Sequence, residues 1–168
     1  MPDPSPEPWL RGPLRDAHPL IMPVLFSFQQ VREDLQRHTA GISDEQVWQR
    51  PSGLPSLGFQ LRHIGGSVDR LLTYLAGEQL SPKQLQALRQ ESTAEGSLQG
   101  LLAAVDASLA DAEKLLRALD TRTIYDARYV GRKKLPTSVV GLLIHIAEHT
   151  QRHLGQAITT GKLLKQSG

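Results

Sequence analysis

The stretch "HIAEHTQRH", residues 145–153, sets His145, His149 and His153 at one spacing of four and holds three of the chain's six histidines. Imidazole is a common ligand for zinc, copper, iron and nickel, and it carries protons near neutral pH. On a helix, four residues move a side chain about 6 Å along the axis and about 40° around it, so histidines at i and i+4 can aim at one ion. His145 and His153 stand about 12 Å apart along that axis. Metal–nitrogen bonds of about 2.0–2.1 Å cannot bridge such a distance, so the three cannot share one ion. One adjacent pair must serve, with further ligands from elsewhere.

A helical wheel ranks the pairs. The apolar stripe of this helix is Val139, Leu143, Ala147, Leu154, Ala157 and Ile158. His153 lies roughly 80° from the stripe's centre, His149 about 120° and His145 about 160°. The ladder drifts from solvent toward the core, with His149 and His153 at the rim and His145 most toward water. His63 sits on a second helical pattern, about 130° from that pattern's apolar centre. If the two helices are neighbours, His63 and the His149/His153 pair face one another across a groove. Three neutral imidazoles would then form an open site, completed by water or substrate. From the residues alone two readings stand: this site, or a solvated ladder without metal. The stretch lacks the Glu of HExxH, and Glu148 meets Gln151 where a di-iron bundle would place histidine.

Other polar residues have plainer readings. His18 precedes Pro19 and reads as a capping or surface residue; so does His38, whose place in a last helical turn suits the helix dipole. Gln156 follows His149 by seven residues and is a candidate for orienting a ligand or water. Arg70 and Tyr74 follow His63 down a similar flank, Arg70 as a surface or ion-pair residue and Tyr74 as either packing or substrate contact. Glu148 reads as solvated, and no general base stands beside the site.

Four long helical patterns must position these groups. The first, over residues 19–38, carries Val24, Phe28, Val31 and Leu35, with Pro23 at its first turn or a kink and Gly41 closing it. The second, over 57–76, carries Leu57, Leu61, Ile64, Val68, Leu71, Leu72 and Leu75 and ends at Gly77. The third keeps its period from Leu98 through Leu101, Val105, Leu109, Ala112 and Leu116 to Leu119. The fourth begins after Pro136, with Thr137 as N-cap, and runs to about Leu164. Between the first two, Ser43 and Gln46 have capping-box spacing and predict a short helix ending at Pro51, with Trp48 as a plug. Ser81 and Pro82 open another short helix. Tyr129–Val130 reads as a short extended piece, and no alternating strand pattern of useful length appears. The pattern predicts an all-α four-helix bundle with long, partly helical connections able to cross between non-adjacent helices. Residues 14–168 form its single domain. Residues 1–13, with five prolines, are expected to be an extended, disordered tail without a secretory signal.

Composition narrows the function classes. With no cysteine, the chain has no disulfide, thiolate ligand or thiol nucleophile of its own, which accords with a cytoplasmic location. Nineteen basic and 17 acidic residues are too balanced to make nucleic acid the main partner, and the basic run "RYVGRKK" reads as a solvated loop. No apolar stretch approaches the roughly 20 residues that span a bilayer.

The helix "HIAEHTQRHLGQAITTGKLL" resembles the last helix of the DinB/YfiT-like superfamily of metal-binding four-helix bundles, where a histidine and three residues precede His-Arg-Gly-Gln. Here the match is His149, then His153-Leu154-Gly155-Gln156. "LRHIGGSVDRLLTYLAGE" resembles the family's other metal segment, with His63 as its histidine, and "ISDEQVWQRP" resembles the segment after the first helix. The resemblance implies that His63, His149 and His153 bind a divalent metal, commonly zinc or nickel. It implies a bundle of non-sequential helix order and a homodimer. It also implies small-molecule chemistry of the kind run by members that are thiol-dependent transferases and an isomerase, using external low-molecular-weight thiols of bacteria. Leu154 departs from the family's Arg, which puts in doubt whatever that Arg does for dimer contacts or substrate. His145 is expected to be solvated or to support a ligand rather than bind metal.

Overall fold

The four apolar stripes become α1 (Met22–Thr39), α2 (Leu57–Leu75), α4 (Leu98–Arg117) and α5 (Val139–Gln166), and a short α3 (Pro82–Gln90) lies between α2 and α4. The computed structural model describes residues 6–166. Local chemistry starts the helices where the sequence predicts. The hydroxyls of Ser56 and Ser97 accept from the backbone N–H groups of Phe59 and Gly100, and Ser81 with Gln84 completes a capping box on α3.

α5 packs along both α1 and α2, α2 packs in turn along α4, and α4 closes more lightly on α1. The consecutive helices α1 and α2 therefore stand diagonally across an all-α bundle. This order makes α2 and α5 neighbours, the condition for His63 to meet the ladder. One apolar cluster runs from Ile21 to Leu164 and includes Phe28, Leu61, Ile64, Leu109, Leu143 and Ile146, all fully buried. Each such side chain contributes about 1.5–3 kcal/mol of transfer free energy. No helix among the described residues is long and apolar enough to cross a membrane.

The connections differ from expectation in three places. Residues 127–138 form an antiparallel hairpin, β1 (Ala127–Val130) with β2 (Leu135–Ser138), not a lone extended piece. Gly131 at φ 70° and Lys134 at φ 49° make its turn, and Arg128 Nε donates to Leu75 O at the end of α2. Pro136 thus lies in a two-stranded edge, where its missing N–H is tolerated. Ser138, not Thr137, caps α5: its hydroxyl accepts from the Gly141 N–H at 3.2 Å. The predicted short helix at Ser43 is a single 3-10 turn, Gln46–Trp48, although the reciprocal bonds between Ser43 and Gln46 form as in a capping box. Of the expected tail, residues 1–5 lie outside the described residues. Pro8–Leu10 form a 3-10 turn against α1, anchored by the paired bonds from Arg11 to Glu33.

Candidate metal centre

α2 and α5 meet with residue 60 opposite 153 and residue 63 opposite 149. His63, His149 and His153 each bring one ring nitrogen within 4.8 Å of the other two, a group able to hold a metal ion among the described residues. His63 Nε2 and His149 Nε2 are 3.0 Å apart, and the His63 ring centroid lies 4.2 Å from that of His153. All three rings are partly exposed, between the core and solvent.

The far side of each ring decides which nitrogen faces inward. His63 Nδ1 lies 2.7 Å from Glu91 Oε2. A carboxylate only accepts, so Nδ1 carries the proton and Nε2 keeps its lone pair. His153 Nδ1 stands 2.8 Å from Gln60 Oε1, also an acceptor, and its Nε2 is likewise a lone pair. Such outer bonds to carboxylate or amide oxygens fix the tautomer and orientation of metal-ligating histidines. His149 has no such partner, and its buried Nδ1 is unsatisfied, as is Gln60 Nε2. Two imidazole nitrogens 3.0 Å apart repel if both present lone pairs, and a cation between them reverses the sign. Nitrogen donors of this kind suit zinc and nickel. The residues present therefore fit a divalent ion.

Electrostatics favour the neutral form of His149 and His153. Burial, reinforced by His153, His63, His145 and Arg152, lowers the His149 pKa to about 4. Burial also takes His153 to about 4, with His63 and Arg152 adding to it against the opposing pull of Glu91 and Glu148. Both are lone-pair donors at neutral pH. Glu91 is opposed by burial, but the His63 hydrogen bond and the charge and hydrogen bond of Arg70 outweigh it and hold the carboxyl below its usual range.

His145 lies outside the converging group, although its ring centroid is 5.1 Å from that of His149. Its side chain is 47% exposed, with Nδ1 3.5 Å from Glu148 Oε2. Glu148 is itself exposed and bonded to Arg152. Gln156 is exposed on α5, and Tyr74 is buried in the core. Arg70 is an ion-pair residue, but a buried one, donating to Glu91 Oε1 at 2.7 Å. Leu154 packs into the core at 2% exposure, so the position where the resemblance expects Arg makes apolar contacts here.

Glu91 and Gln60 are the residues that the sequence reading missed. Gln60 sits one turn before Ile64 and Leu61's flank, and α2 is covered on more of its circumference than one stripe because it packs on α5, α4 and α3. Glu91 ends α3 in a polar segment with no period, and only the path of the chain brings it back to His63. The sequence model of the DinB superfamily matches residues 27–157, a span that contains all three histidines. No curated protein matches the chain.

Proposed function

The chain belongs to the DinB superfamily, and from that premise we propose that it is a metal-dependent enzyme in which His63, His149 and His153 hold a divalent ion, zinc or nickel. The observation that carries this reading is the convergence of three ring nitrogens whose outward sides, at His63 and His153, are already tied to Glu91 and Gln60. Structural zinc sites are closed by four protein ligands, whereas catalytic sites keep three and leave a position open. Three histidines at a partly exposed seam match the second kind.

Held by His63, His149 and His153, a divalent ion would supply Lewis-acid chemistry, making a water or thiol nucleophilic near neutral pH. The protein's own part is positional. His63 and His153 are locked in the Nδ1–H tautomer, and the lowered pKa values of His149 and His153 keep protons from competing for the inward nitrogens. The ion pair of Arg70 with Glu91 holds the outer wall. Because the chain has no cysteine, a thiol in this reaction is an external, low-molecular-weight cosubstrate, and the chemistry is its transfer to an electrophilic small molecule, or a hydrolysis. The reading sets the enzyme in the cytoplasm, where such thiols stay reduced, and makes it a homodimer, which sedimentation at several concentrations tests.

Elemental analysis of freshly purified protein should give about one divalent ion per chain, and none in His149→Ala. Wild type free of metal, after incubation with zinc or nickel and desalting, refutes the reading. Metal-loaded protein is then assayed with thiols paired with electrophiles and with esters and amides. Stoichiometric metal without turnover on any of them would instead mark a non-catalytic, structural bundle.

A further inference from the structure

His63 is also reached by a chain of contacts through the segment that follows it in the fold. Arg62, its neighbour on α2, donates to the last carbonyl of α3, Gln90 O at 2.7 Å, and to two of the segment after it, Thr93 O at 2.8 Å and Glu95 O at 2.7 Å. The Trp48 ring covers the Arg62 guanidinium at 4.9 Å, and Trp48 Nε1 donates to Gly96 O at 3.0 Å. A Cβ on Gly58 would sit 2.6 Å from the Trp48 ring, so glycine there lets the indole lie flat on α2. Glu91, which is 5% exposed, lies within the segment pinned in this way. Glu91 divides its two oxygens between Arg70 and His63, each at 2.7 Å. A Cβ on Gly66 would come within 2.9 Å of Glu91 Oε1 and 2.8 Å of the Arg70 guanidinium, so this second glycine admits the ion pair across the helix surface.

We propose that Glu91 is a positioning residue of the metal centre, delivered by the Arg62–Trp48 clamp, so that side chains that do not themselves bind the ion set the affinity for it. The inference rests on the metal-site reading above and deepens it. Free segments of chain do not hold a carboxylate at hydrogen-bonding distance from a buried ring, because ordering the backbone costs about 1–2 kcal/mol per residue. Three charge-assisted bonds from one planar guanidinium supply the restraint. The carboxylate then dictates the His63 tautomer, and the tautomer decides whether Nε2 offers a lone pair or a hydrogen.

Glu91→Gln separates this from a packing role. Arg70 holds the amide oxygen, which turns the amide NH2 toward His63 Nδ1. His63 must then accept there and carry its proton on Nε2, the nitrogen that faces the ion. Imidazole nitrogen NMR of the metal-free proteins should show His63 as the Nδ1–H form in wild type and the Nε2–H form in Glu91→Gln. Chelator competition with Zn(II) should show affinity weakened about 10–100-fold in Glu91→Gln. Arg62→Lys, whose compact ammonium cannot span three carbonyls, should lose about tenfold, at the low end of that range. In Gly66→Ala the helix preference of alanine over glycine opposes the cost of displacing the buried ion pair, and the folded variant too should bind Zn(II) about tenfold more weakly. Wild-type protein that takes up no Zn(II) ends both the metal reading and this inference. Wild-type binding with affinity within twofold in Glu91→Gln and Gly66→Ala, and an unchanged His63 tautomer, overturns the inference alone.

Discussion

α5 presents two faces to two neighbours, and they treat polar groups in opposite ways. Toward α1, the hydroxyls of Ser27 and Thr150 meet at 3.1 Å, each also bonded to a carbonyl of its own helix, and Gln151 Nε2 donates to Ser27 O. Every polar group in that set has a partner. Toward α2, His149 Nδ1 and Gln60 Nε2 are buried without one, and two imidazole nitrogens stand 3.0 Å apart. An unsatisfied buried polar group costs about 1–3 kcal/mol. The α1 face satisfies its polar groups; the α2 face carries unsatisfied ones beside the three converging histidines.

Four experiments test that contrast. Phe28→Ala, in the fully buried core of α1, should cost about 3–5 kcal/mol in urea unfolding, while the folded protein still binds its ion; loss of the ion without loss of stability would reverse the roles assigned to the faces. His149→Ala should weaken metal binding by more than about 100-fold, beyond what loss of an outer partner gives. Its metal-free stability should change by only about 1 kcal/mol, because the orphaned Nδ1 goes with the ring.

Acid provides the third. His149 and His153 have folded pKa values of about 4 against an ordinary 6.5. Between these limits the unfolded chain binds protons that the folded chain does not, so unfolding free energy rises with pH there. Metal-free protein should therefore lose thermal stability as pH falls from 6.5 to about 4, and little from this source above 6.5. A His149→Ala/His153→Ala variant should show a shallower slope; an identical slope would assign the acid sensitivity elsewhere. The smallest effect is expected from His145→Ala, which should leave metal affinity within about twofold, consistent with an exposed ring outside the converging group. A larger loss would bring His145 into the site.

Much of the molecule was legible one residue at a time. The stripes Val24–Leu35, Leu57–Leu75, Leu98–Leu116 and Val139–Leu164 are core in the structure because helical periodicity and burial are tied by geometry. The expected cap at Ser81 acts locally, within three residues, and Ser56 and Ser97, which the apolar stripes did not mark, act in the same way. The hairpin escaped notice because β1 and β2 pair with each other through backbone bonds, which leave little side-chain signature in four-residue strands.

The order of residues alone contains the helices, the spacing that forbids one ion shared by His145, His149 and His153, and the drift that turns His145 most toward water. These follow from rise and rotation along a single helix. Only the tertiary structure decided that α2 lies beside α5, that His63 joins the pair, and that Glu91 and Gln60 turn two rings inward. Those outcomes depend on which helices cross the bundle diagonally and where a long connection returns. Such choices are settled by the packing of all four stripes at once, and no local period in the chain encodes them.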